Sequence, residues 1–156
     1  ASDTIIKSEN SGDTWFTTAS ATGGGGNLTA LWVADKARVL VGDNAGHLYE
    51  TTDGGATWTE QVSLPGLTAT TKPDTTITDI CGCGCDVLWA ATKDSGGSGI
   101  VRVYRSVDGG AQGRWYVPDE CDGFTYDLEA ITCCDSNRAI AVGGDGSSLG
   151  NIALIA

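Results

Sequence analysis

The sequence has no methionine, one histidine, three prolines and two phenylalanines, and its nine basic residues are outnumbered by twenty acidic ones. Each scarcity excludes something. A net charge of −11 repels phosphate backbones and anionic lipid, which argues against nucleic-acid binding and electrostatic membrane binding. No apolar run approaches the roughly 20 residues of a membrane-spanning helix. No leader peptide is visible, and Ala1-Ser2 is compatible with a removed initiator Met, a removed signal or a fragment. His47 has no Ser or Cys partner at a recognisable spacing, so it reads as a surface or packing residue rather than a base. No stretch sustains an apolar period of 3.6, so almost no helix is expected.

What is abundant is glycine, 23 of 156 residues without a collagen period, a pattern of many tight turns between short strands. With 40% hydrophobic and 19% charged residues the balance is globular, and residues 1–156 fit one domain with a modest core. Internal repeats set the organisation. Three segments align on a tryptophan: Ile5 to Trp15, Leu48 to Trp58 and Val103 to Trp115. Each runs as an apolar strand, then Ser/Thr-x-Asp/Asn-x-Gly, then Trp: Ser8, Asn10, Gly12 and Trp15; Thr51, Asp53, Gly55 and Trp58; Ser106, Asp108, Gly110 and Trp115. Trp58 follows Trp15 by 43 residues, and Trp115 follows Trp58 by 57. Four-stranded propeller blades repeat at roughly 40–50 residues. The longer step holds the Gly/Ser loop 94–99 and the connection 62–76, both read as insertions.

The motif has a physical reading. The glycines supply positive φ. The Asp or Asn side chain accepts backbone N–H groups inside the turn, and the Ser or Thr hydroxyl adds a further bond. The tryptophan opens the return strand and packs across the hairpin. Between the turns lies a second repeat, strand–turn–strand, at 31–42, 80–92 and 128–143. Each is followed by another strand at 46–50, 99–105 and 150–156. The fold expected is therefore all-β, with four-stranded antiparallel blades of propeller type and about three blades in the chain. Such a count leaves sheet edges open, where closed propellers use typically 4–8 blades. Open edges promote pairing with another chain. That partner is expected to be a second copy completing a composite propeller, or a larger assembly on which an open arc docks.

These turns resemble the Asp-box, or bacterial neuraminidase repeat, family. The second matches Ser/Thr-x-Asp-x-Gly-x-Thr-Trp throughout; the first has Asn10 for Asp, and the third carries two extra residues before Trp115. The resemblance implies a β-propeller fold. Its functions range over sialidases, photosynthetic assembly factors, sortilin-type receptors, exo-glycanases and phage virion propellers, and fold alone does not choose among them. A sialidase needs an arginine cluster, a Tyr–Glu nucleophile pair and a general acid. Only Arg38, Arg102, Arg105, Arg114 and Arg138 are present, and no catalytic set stands out. The assembly-factor relatives would be expected to show a basic patch, against which the charge argues. The expectation is a non-enzymatic structural or interaction module without a cofactor, on a virion (phage head, tail or decoration) or extracellular surface. Its partners would be other protein chains. The alternative is a glycan-binding or glycan-cleaving fragment of a sialidase-like protein.

Six cysteines are the most unusual feature: Cys81, Cys83, Cys85, Cys121, Cys133 and Cys134. Cys81, Cys83 and Cys85 share a strand face by period two. Aligning Ile80 with Ile131 sets Cys83 opposite Cys134. Disulfides linking the 81–85 segment to Cys121, Cys133 or Cys134 are the expected use, with buried thiols the alternative. A thiolate metal site is conceivable, but the spacing matches no standard zinc knuckle. Trp32 and Trp89 read as core, whereas Phe16, Tyr116 and Phe124, near loop ends, read as contact aromatics.

Overall fold

A computed structural model describes residues 4–21, 26–61, 64–67, 74–97, 99–110, 114–119, 121, 124–144 and 151–155, the last five as backbone only. The two extra residues before Trp115 lie outside the described part. Every regular element in it is a strand. β1 (Ile6–Lys7) and β2 (Phe16–Thr17) form a short hairpin. A first blade follows, β3 (Leu28–Val33), β4 (Val39–Asp43), β5 (Leu48–Thr51) and β6 (Thr59–Glu60), paired in that order. A second blade has the same order: β7 (Thr75–Cys83), β8 (Val87–Asp94), β9 (Val103–Ser106) and β10 (Trp115–Tyr116). The third has three strands, β11 (Asp127–Cys133), β12 (Ala139–Gly144) and β13 (Asn151–Ile155). All pairs are antiparallel.

The blades are copies to the residue. Leu31 pairs with Val41, Ile80 with Ala90 and Ile131 with Ala141. Each opening strand carries a bulge at the same place, at Thr29, Thr78 and Glu129. A bulge adds twist, and here it recurs on β3, β7 and β11, the strands that meet one another blade to blade.

Alternation along each strand divides every blade into two faces. We call the face toward the preceding blade leading and the other trailing. The trailing Leu40 and Leu48 meet the leading Ile80, Leu88 and Ala90 in one cluster. The trailing Trp89 and Ala91 meet the leading Ile131, Ala139 and Ala141 in the next. Trp32 lies over Gly82, where a Cβ would strike the indole. The core is thus two seams between blades rather than one ball. The hairpin caps the outer part of the first blade through Ile5, which joins Val39, Val41, Tyr49 and Trp58.

Arginines stitch the seams. Arg38 is held by Glu50 at 2.6 Å and donates to the carbonyls of Cys85, at 3.0 Å, and Gly109 in the next blade. Arg105 lies over Trp89 and donates to the carbonyl of Ser136 at 2.6 Å, one blade on. Asp79 accepts the Ile131 amide across the second seam at 2.9 Å.

Candidate functional site

The three turns close on themselves. The hydroxyls of Ser8, Thr51 and Ser106 accept the amides of Gly12, Gly55 and Gly110 at 2.9, 2.9 and 2.8 Å. They donate to Asn10, Asp53 and Asp108 at 3.0, 2.8 and 2.9 Å. Asn10 and Asp53 each also accept a backbone amide, from Thr14 at 2.9 Å and Thr57 at 2.8 Å. Asp108 instead pairs with Arg114 at 3.0 Å. The Thr57 hydroxyl, then the Thr57 amide and the Thr51 hydroxyl, hold the Asp53 carboxyl down at about 2. These acceptors are engaged inside their own turns, as turn chemistry requires. Each turn uses two successive left-handed residues rather than the one expected from the motif. They are Gly54-Gly55, Gly109-Gly110 and, in the first turn, Ser11 at φ 58° before Gly12.

Cys81, Cys83, Cys85, Cys133 and Cys134 stand as free thiols. Cys133 comes within hydrogen-bonding reach of both Cys81 and Cys83. The expected partner of Cys83, Cys134, is instead exposed. The physical reason is parity. Equivalent residues of successive blades point the same way, so a contact needs a trailing residue of one and a leading residue of the next. Cys81 and Cys83 trail and Cys133 leads, whereas Cys134, the equivalent of Cys83, trails away from the second blade. Burial, then the contact with Cys133, pushes the Cys81 thiol well above the usual range and Cys83 up to about 11. Such groups are protonated and slow as nucleophiles. Cys121 is buried against the second seam, and Cys85 is exposed. Among the described residues no three His, Cys, Asp or Glu side chains are placed to hold a metal ion.

Four arginines serve backbone or turns: Arg38 and Arg105 across seams, Arg114 on Asp108 and Arg138 on Asp135. Asp43 was not singled out by the sequence. It is fully buried, accepts the amides of Ala45 and His47 at 2.9 and 2.8 Å, and meets His47 Nδ1 at 3.0 Å and the Tyr49 hydroxyl at 3.3 Å. His47 is thus neither a simple surface nor a simple packing residue but the partner of a buried carboxylate that shapes the β4–β5 turn. The signal was available: Gly-Asp-x-x-Gly ends a strand at 42–46. Phe124 is not a surface contact either; it packs on Tyr126 at 5.7 Å within the second seam. Phe16 and Tyr116 are exposed as expected.

What the molecule leaves uncovered is a leading face. Ile80 and Ile131 are 3% and 4% exposed, whereas their counterpart Leu31 is 55% exposed, and Val33 beside it also 55%. The turn tryptophans grade the same way. Trp115 is 4% exposed against the first blade, Trp58 is half-buried under the hairpin, and Trp15 is 59% exposed. Trp115 packs against the first blade while lying over Gly110 of its own turn, and Trp15 donates its indole N–H to the Gly12 carbonyl of its own turn at 3.1 Å. Leu31 and Val33 floor a groove of about 960 Å³ whose wall is the hairpin, with Ile5, Ile6 and Trp15 on its lining. Among the described residues no helix is long and apolar enough to cross a membrane.

The bladed antiparallel architecture, with equivalent registers and bulges, is that of a β-propeller. Solved structures agree. YCF48 from Cyanidioschyzon merolae superposes with a TM-score of 0.68 at 20% identity, over 99% of this chain and 44% of that one. YCF48 bound to D1 peptide gives a TM-score of 0.59 at 14% identity, over 81% of this chain and 40% of that one. The chain thus spans under half the length of either, and at these identities the likeness is one of fold. No family model and no curated protein matches the sequence.

Proposed function

We propose that this chain is a non-enzymatic protein-interaction module of Asp-box type, a set of propeller blades that docks on other protein chains. The observation that carries the reading is the uncovered leading face of the first blade. Leu31 lies bare at a position that the repeat buries elsewhere, and Val33 at one that it half-buries. A contiguous apolar surface of this kind marks interaction sites on soluble proteins. The propeller of similar fold solved with a peptide supports the reading, because it is a bladed scaffold with a protein ligand. The setting we propose is a virion or extracellular surface, where a rigid module of charge −11 resists nonspecific contact with anionic polymers.

The experiment is direct. Purified particles are analysed for the chain by quantitative mass spectrometry, and the isolated protein is tested on a glycan array and a fluorogenic glycoside panel. Stoichiometric presence in particles with no glycoside turnover supports the reading. Turnover lost on mutating a loop acid, or a free soluble pool with no assembly partner, would sink it.

A further inference from the structure

We propose that Cys81, Cys83 and Cys133 form a disulfide-exchange site that ties the second blade to the third. A small-molecule disulfide oxidises the outer pair, Cys83 and Cys133, and the bond then passes to the inner pair, Cys81 and Cys133.

The register of the repeat places the three thiols together. Ile80 pairs with Ala90 and Ile131 with Ala141, so Cys133 is the counterpart of Gly82. Gly82 lies between Cys81 and Cys83 along β7. β7 and β11 pack on each other. Stacking two blades at one register sets the leading Cys133 opposite the gap between two trailing cysteines. One thiol therefore reaches both neighbours. Those neighbours are not equivalent. Cys81 and Cys133 pack against the buried cluster of the second seam, whereas Cys83 stands outside it, at the last pair before the β7–β8 turn. The Cys83 thiol is also raised less than that of Cys81, to about 11. A reagent from solution meets Cys83 first.

The chemistry balances without any other group. The Cys83 thiolate attacks the small disulfide, whose S–S bond breaks and releases one small thiol. The Cys133 thiolate then attacks the Cys83 sulfur and displaces the second small thiol, so two protein thiols are oxidised and one small disulfide is reduced. In the last step the Cys81 thiolate attacks the Cys133 sulfur, and Cys83 leaves and takes up a proton. That step needs no oxidant. It runs inward because burial disfavours a thiolate at Cys81 but not a neutral disulfide, and it returns the free thiol to the less buried position. Within the seam the bond is shielded from reductant, whereas accessible disulfides are the labile ones. The turn that leaves Cys83 presents the Cys85 carbonyl to Arg38 of the first blade at 3.0 Å, so the tie adjoins a contact of the first seam as well.

The reduced 156-residue protein is incubated with oxidised glutathione, quenched with an alkylating agent over time, and mapped by mass spectrometry with fragmentation that places each bond. The expected order is a glutathione adduct on Cys83, then the Cys83–Cys133 bond, then the Cys81–Cys133 bond. The oxidised protein should unfold at higher urea than the reduced one. Cys81→Ser should stop at the outer bond, which reduced glutathione should open at least tenfold faster than the inner bond. Cys83→Ser should slow formation of the inner bond at least tenfold, and Cys133→Ser should leave the adduct on Cys83 unresolved. Cys85→Ser with Cys134→Ser, at two exposed positions, should change neither rate. The time course on the unaltered protein decides the matter even where a variant fails to fold. The proposal is overturned by a first adduct at Cys81 or Cys133, or by an outer bond that never moves inward. It is equally overturned by a dominant bond through Cys85, Cys121 or Cys134, or by no bond among the three at full oxidation.

Discussion

At the scale of single residues, the turns show how little chemistry the repeat needs. A hydroxyl, an acceptor two residues on and two left-handed residues suffice, and Asn10 does for the first turn what Asp53 does for the second. The difference is that Asp53 titrates. Its folded carboxyl is held at about 2, below an unfolded value of about 3.9. Its contribution is therefore present above about pH 4 and lost as pH falls through about 2. Asp53→Asn should keep the acceptor and flatten the decline of Tm between about pH 4 and 2. Asp53→Ala should lower Tm throughout that range and at neutral pH. Parallel curves for all three proteins would show that Asp53 holds nothing. Asp35 and Asp135 are held low by amides of the β3–β4 and β11–β12 turns, so all three curves share a common acid slope. Ser11 gives a second prediction. An L-residue in the left-handed region costs about 1–2 kcal/mol, partly offset because glycine loses more freedom on folding. Ser11→Gly should stabilise by about 0.5–1 kcal/mol in urea denaturation, and any loss of stability would contradict the strain argument.

At the scale of elements, the seams follow a rule of parity that the sequence held but alignment obscured. Strands, turns and blade count were legible because period-two alternation and turn residues are local. Which cysteines meet was not, because contact joins opposite faces of successive blades, whereas alignment matches like faces. The same rule accounts for Gly82, which sits in the leading position of Val33 and Cys133 and makes room for Trp32. Gly82→Ala should cost about 1–3 kcal/mol through overpacking, and an unchanged midpoint would mean the seam yields easily. Parity also redirects the disulfide expectation. If the protein is oxidised, non-reducing peptide mapping should find Cys133 joined to Cys81 or Cys83, with Cys85 and Cys134 left alkylatable. A bond through Cys134 would show that the third blade is rotated from the register described.

At the scale of the whole molecule, burial depends on the neighbour rather than on the residue. The same repeat position is covered or bare according to whether a blade precedes it, which no single-repeat reading of the sequence could separate. Asp43 was missed for a related reason, since its importance lies in a buried turn that the strand pattern does not mark. The graded cover of the turn tryptophans has an optical consequence. Trp15 is a water-exposed indole on the groove, while Trp115 and Trp89 sit in apolar seams. Steady-state emission should therefore contain a long-wavelength component quenched by acrylamide, and Trp15→Phe should remove most of it. Emission unchanged by that substitution would place Trp15 under cover. Whatever comes to lie along the hairpin would shift that component toward the blue, so the protein carries its own dye for the state of its uncovered face.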